Sequence, residues 1–130
     1  MKILLIEDSK FQRERALVKA GYSVIQAGDG EEGLRMTRES IPDLILLDLM
    51  LPKVSGLDVL RALKSDMLVK HIPVIVLSGL GQANEDKLMS EGAAAFVTKS
   101  EKLSENNASF LIHTVESVLA QSKSIRTTVF

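Results

Sequence analysis

Five short apolar runs punctuate the chain: "KILLI" (2–6), "YSVIQA" (22–27), "DLILLDL" (43–49), "PVIVLS" (73–78) and "AAFVT" (94–98). Each is rich in Ile, Leu or Val and bounded by Gly, Pro, Asp or Ser. None alternates strictly between apolar and polar positions, which is the pattern of strands covered on both faces. Between the runs the spacing becomes helical. The first such segment opens at Ser9 with "SKFQ", a Ser-x-x-Gln capping box, and ends before Gly21, a suitable C-cap. The second follows "GDGEEG", carries Leu34, and places acidic residues in its first turn, where the helix dipole favours them. The third starts after Gly56, with Leu57, Leu60 and Leu63 on one side. The fourth spans roughly 82–91, with the usual latitude of a few residues at its boundaries, and ends at Gly92. The fifth presents Phe110, Leu111, Val115, Val118 and Leu119 as an apolar stripe. Strand then helix, five times over, predicts an α/β domain with a doubly wound parallel sheet between two helical layers. Right-handed crossovers then restrict the topology. The tail "QSKSIRTTVF" reads as a helix end plus loose residues, so the domain is expected over 1–122, with 123–130 a C-terminal tail or linker stub.

Composition removes several classes of function. A length of 130 residues suits one domain with a real core. A net charge of −1 gives no electrostatic case for nucleic acid or an anionic membrane as the main partner. The absence of cysteine excludes disulfides, zinc-thiolate sites and cysteine nucleophiles. His71 and His113 stand far apart without metal-ligand spacing. The opening "MKILLIED" is too short for a signal peptide or a membrane span, so a cytoplasmic location is expected.

The candidate chemistry collects where the strands end. In a doubly wound sheet, ligands bind outside the carboxyl ends of the strands. The first strand delivers Glu7 and Asp8 there, the third Asp48, the fourth Ser78, and the fifth Thr98 and Lys99. Three carboxylates close together repel one another unless a cation sits among them. All-oxygen ligands suit a hard divalent ion such as Mg²⁺, with Mn²⁺ as a substitute. A lysine and a hydroxyl facing the same spot suit a phosphoryl group, and an aspartate is a known type of acceptor for one. Each residue also has a plain structural reading. Ser9 caps a helix, Asp48 pairs with Lys99, Ser78 ends a strand, and Phe96 packs in the core. Independent capping residues, however, need not all fall at the carboxyl ends of four strands.

The ordered motifs "LLIEDS", "AGDGEEGL", "LLDLMLPKVSGLDVLRALK", "PVIVLSG" and "GAAAFVTK" resemble those of the receiver domains of two-component response regulators, over roughly residues 2–120. The resemblance implies a (βα)5 flavodoxin-like sheet in strand order 2-1-3-4-5. It implies that Asp48 takes a phosphoryl group from a phosphohistidine on a sensor histidine kinase or phosphotransfer protein. Glu7, Asp8, Asp48 and the Met50 backbone carbonyl are the implied Mg²⁺ ligands. Lys99, Ser78 and Gly79 would contact the phosphoryl group, Ser78 and Phe96 would act as the switch, and Pro52 and Gly56 would shape the loop after Asp48. The output would be a change in the surface of the fourth helix, fifth strand and fifth helix. The output partner or effector domain stays open, as does a phosphorylation-dependent dimer. Such a domain is a phosphoacceptor that supports its own phosphotransfer and slow dephosphorylation, not a classical enzyme. On this reading Asp48 sits just beyond a rigid apolar strand, at the wet edge. With the first strand so close to Met1, an N-terminal or stand-alone receiver is expected.

Departures from the family pattern carry their own expectations. Glu7 replaces the more frequent aspartate, so it is expected to reach the metal through water. Gly79 adds backbone freedom beside Ser78. Phe96 lacks a tyrosine hydroxyl. Ser100 stands where proline commonly follows the lysine, so a trans bond is expected after Lys99. Met50 and Leu80 are apolar and cannot position an attacking water, which predicts slow loss of the phosphoryl group. Rival folds with related chemistry fit less well. A haloacid-dehalogenase phosphatase needs its nucleophile at the end of the first strand, and a flavodoxin needs a phosphate loop where "EDSKFQ" is acidic. A phosphorylation-independent, receiver-like interaction scaffold is the remaining alternative.

Overall fold

The computed structural model describes residues 1–7, 12–78, 85–98 and 105–128. Strands β1 (Lys2–Ile6), β2 (Ser23–Ala27), β3 (Leu44–Asp48), β4 (Val74–Ser78) and β5 (Ala95–Thr98) alternate with helices α1 (Gln12–Lys19), α2 (Gly30–Ser40), α3 (Gly56–Ser65), α4 (Glu85–Ser90) and α5 (Glu105–Thr128). The strands form one parallel sheet in the order β2-β1-β3-β4-β5. The fold class and strand order are therefore those expected from the sequence.

The unbroken apolar runs are explained by cover on both faces. Residues 3–6 of β1 and every residue of β3 and β4 are buried. Leu4, Ile6, Ile45, Leu47, Val74 and Val76 face a core shared with α2, α3 and α4. Ile3, Leu5, Leu44, Leu46, Ile75 and Leu77 face the other, shared with α1 and α5. Each such side chain stabilises the fold by roughly 1.5–3 kcal/mol on burial.

Two glycines end helices as their sequence positions suggested. Gly21 and Gly92 take φ of 102° and 103°, a region L side chains disfavour. The Gly21 N–H donates to Val18 O and the Tyr22 N–H to Leu17 O; Gly92 and Ala93 repeat this on Met89 and Leu88. This paired pattern satisfies carbonyls that a helix end leaves open. Helix starts are capped too, by Asp29 on the Glu32 N–H and Ser55 on the Asp58 N–H.

Three details differ from the sequence reading. Phe110 is 56% exposed, while Leu111, Val115, Val118 and Leu119 are buried. One residue of helix turns the side chain by about 100°, which carries Phe110 off the buried stripe. Helix α5 continues to Thr128, so the backbone of 123–128 is helical rather than loose. Asp48 is the last residue of β3 and only 1% exposed, not a residue beyond the strand at the wet edge. Its strand is central, β4 pairs with it through Asp48, and the turn that follows folds back on the strand end. Among the described residues no helix is long and apolar enough to cross a membrane.

Candidate functional site

Parallel register brings the candidate residues to one edge. Ile6 pairs with Leu47, so Glu7 and Asp48, one residue further on each strand, end up side by side. Asp48 pairs with Leu77, which places Ser78 one step beyond it on β4. Glu7 is 5% exposed and Ser78 1%. Two acidic groups and a hydroxyl are thus buried at the carboxyl ends of the three central strands. Among the described residues every buried side-chain nitrogen or oxygen has a hydrogen-bond partner, so these groups are built in and satisfied. Asp8, Gly79, Leu80, Lys99 and Ser100 lie outside the described residues, as does the Ser9 capping box. Among the described residues no three acidic, histidine or cysteine groups gather as a cation site.

The loop after β3 is shaped around Asp48. The Met50 N–H donates to Asp48 Oδ1 at 3.0 Å, which orients the carboxylate. The Met50 side chain points to solvent. The Gly56 N–H returns to Leu49 O, and the Val54 N–H donates to Pro52 O. A Cβ on Gly56 would lie 2.5 Å from Leu49 Cα and overlap the Asp48 backbone carbonyl oxygen. The loop therefore passes so close to the strand end that only glycine fits.

Lys53 holds the same loop from outside. Its backbone is left-handed, at φ 69°, and its ammonium lies 3.5 Å from Asp29. Asp29 keeps its carboxyl below the usual range, first through the Glu32 N–H and also through Lys53. So "GDGEEG" serves here as a turn and helix cap, tied to the loop that follows Asp48. Phe96 is half-buried and packs against the core shared with α2, α3 and α4.

One residue of the site was not singled out from sequence. Arg13 of α1 is 8% exposed and donates to Glu7 Oε2 at 2.8 Å. Its signal was its place four residues ahead of buried Leu17, on the same helix face.

The family model of the response regulator receiver domain matches residues 3–109. The chain belongs to that family. It is a receiver domain of a response regulator, a component of two-component signalling. The polar-differentiation response regulator DivK of Brucella ovis is 38% identical over 101 residues, which are 75% of this chain and 82% of DivK. A response regulator receiver domain protein from Clostridium thermocellum superposes with a TM-score of 0.80 at 31% identity, covering 95% of this chain and 98% of that one. NtrX of Brucella abortus gives a TM-score of 0.84 at 27% identity over 98% of this receiver, but this is only 29% of NtrX. Receiver domains in general bind Mg²⁺ at the phosphorylation site and interact with histidine kinases or phosphotransfer proteins.

Proposed function

We propose that Asp48 is the phosphoacceptor of this receiver domain and that a sensor histidine kinase or phosphotransfer protein supplies the phosphoryl group. The observation that carries this reading is the burial of Asp48 at the end of the central strand, beside Glu7 and Ser78, with Met50 N–H on Oδ1. A buried carboxylate is costly unless hydrogen bonds, a paired cation or a metal compensate it, so a fold that keeps two at one strand edge suits a cation-binding site.

In the transfer, a carboxylate oxygen of Asp48 attacks the phosphorus of the phosphohistidine. The new O–P bond forms as the N–P bond breaks, and the electron pair of that bond returns to the imidazole nitrogen. The chain's part is to position the acceptor and neutralise charge, since little else remains for a protein to do in phosphoryl transfer. The hydrogen bond from Met50 and the tight Leu49–Gly56 turn hold the Asp48 carboxylate in one orientation. The Ser78 hydroxyl would hydrogen-bond a phosphoryl oxygen, Gly79 would lend a backbone N–H, and Lys99 would contact the oxygens as a cation.

Glu7, Asp8, Asp48 and the Met50 carbonyl would supply the all-oxygen donors that suit Mg²⁺, and Glu7 and Asp48 are buried side by side. When bound, the metal neutralises charge on the phosphoryl oxygens. Ser78 and Phe96 would then move together, changing the face made by α4, β5 and α5. That face would carry the signal to an output partner or effector domain. The domain acts as a phosphoacceptor and not as a classical enzyme.

Acetyl phosphate, with and without Mg²⁺, followed by intact-mass measurement of the wild type and Asp48→Asn, tests the reading. One Mg²⁺-dependent phosphoryl adduct, absent from Asp48→Asn, is expected. Its decay should take minutes or longer, because the apolar Met50 cannot hold a hydrolytic water; a half-life of seconds would contradict this part. An adduct that persists in Asp48→Asn would overturn the assignment. So would no adduct from either acetyl phosphate or a phosphohistidine donor.

A further inference from the structure

The most deeply placed cation among the described residues has no part in the mechanism above. Arg13 reaches from α1 to Glu7, and the two side chains are 10% and 1% exposed. Among the described residues, other ion pairs such as Arg35–Glu39 and Arg38–Asp66 keep one partner well exposed. Glu7 stands next to Asp48, at the strand end where the proposed metal ligands converge. Two cations therefore have a claim on one buried carboxylate. One is permanent, since arginine does not lose its proton in a protein.

We propose that Arg13 is a positioning residue of the metal site: an internal counter-cation that shares Glu7 with Mg²⁺ and so sets how tightly the divalent ion is held. The proposal rests on the reading of Glu7 as part of that site. Arg13 donates to Glu7 Oε2, so the carboxylate is not left as an uncompensated buried charge. A divalent ion arriving at the same carboxylate meets the positive field of the guanidinium at short range. In a partly buried site that repulsion is screened far less than in water. Metal binding is thus weakened in proportion to how well Arg13 already serves Glu7. The consequence is linkage: whatever loosens Arg13 from Glu7 strengthens the metal, and metal binding loosens Arg13 by the same factor. The extent of metal loading then depends on α1, an element that contributes no ligand of its own.

The test is a Mg²⁺ titration of the full chain followed through the backbone amide shifts of Glu7 and Asp48, with melting temperatures measured with and without Mg²⁺. Arg13→Gln should bind Mg²⁺ about 5- to 10-fold more tightly, in the range of ordinary site-to-site coupling. It should melt lower than wild type without Mg²⁺ and recover more of its stability when Mg²⁺ is added. Arg13→Lys keeps the charge and should bind within about two-fold of wild type, which separates the charge from the shape of the side chain. If Arg13→Gln does not fold, Arg13→Met, which removes the charge and keeps much of the apolar stem, takes its place in the same titration with the same expected tightening. Equal affinity in wild type and Arg13→Gln, with equal melting shifts, would make the pair purely structural and overturn the proposal. Weaker binding in either variant would show that Arg13 orients Glu7 for the metal rather than competing with it, and would overturn it too. A wild type that binds no Mg²⁺ would instead remove the metal-site reading itself, and the proposal with it.

Discussion

Strand β3 carries a carboxylate at each end, and the two are treated in opposite ways. Asp43, just before the strand, is half-buried and accepts the Lys2 N–H at 2.8 Å, while its own N–H donates to Lys2 O. Nearby, the Lys2 ammonium donates to Ser40 O, and Lys64 donates to the carbonyls of Lys70 and Ile72. Polar groups at this edge end on the backbone of a neighbouring element, and so fix register and close loops. At the other end, Asp48 lies fully buried with Glu7 and Ser78 as neighbours, and an arginine is drawn in from α1. The difference separates two kinds of buried polarity. One kind is explained once the fold is complete. The other gathers like charges that the fold alone does not call for, and it is the place where we propose that a cation and a phosphoryl group bind.

The largest effect is expected at Gly56. Gly56→Ala puts a methyl group into the backbone of Asp48 and Leu49, and forcing such an overlap should cost about 2–3 kcal/mol in urea unfolding and misplace the acceptor. Full stability with normal phosphorylation would show that the loop is looser than its contacts imply.

The two carboxylates themselves should respond with opposite signs. Asp43→Ala removes a charged acceptor from the β1 backbone and should lose about 1.5–3 kcal/mol, with phosphorylation by acetyl phosphate unchanged. Asp48→Asn relieves repulsion with Glu7 and should gain about 1 kcal/mol in Mg²⁺-free buffer while losing phosphorylation altogether. If both variants lose stability equally, the contrast between the two ends fails.

The smallest effect concerns Asp66, in the connection leading to β4. Its carboxyl is held below the usual range by the Leu68 N–H, then by Arg38. A depressed folded-state pKa supplies stability that is present above the ordinary aspartate pKa and lost as pH falls through the folded value. Wild type should therefore exceed Asp66→Asn in urea midpoint near neutrality, with the two curves converging below about pH 4. Parallel curves down to acid would remove Asp66 as a contributor.

Much of the fold was legible because burial on both faces leaves a plain mark: runs such as "LILLD" and "VIVLS" admit no polar face. Gly21 and Gly92 were legible because a left-handed helix end has few alternatives to glycine. Phe110 misled because an apolar residue next to a stripe has the same composition signal as one inside it; a single step of helix separates them. Glu7, Asp48 and Ser78 could be placed at one edge from strand order alone, but the burial of Asp48 could not, since it depends on how closely the Leu49–Gly56 turn folds back. Arg13 escaped because a charged residue in a helix is usually solvated, and its partner lies on another element.

We propose that the C-terminal edge of the sheet, and not the N-terminal edge, receives the phosphoryl group at Asp48. Beryllofluoride, a phosphoryl mimic, added with Mg²⁺ to isotopically labelled protein and followed by amide chemical shifts, addresses it most directly. Large shifts are expected at Glu7, Leu49, Met50 and Ser78, smaller ones reaching Phe96, none at Lys2, Asp43 or Val74, and no response in Asp48→Asn. Shifts that leave the strand ends around Asp48 unchanged, or that survive Asp48→Asn, would contradict it.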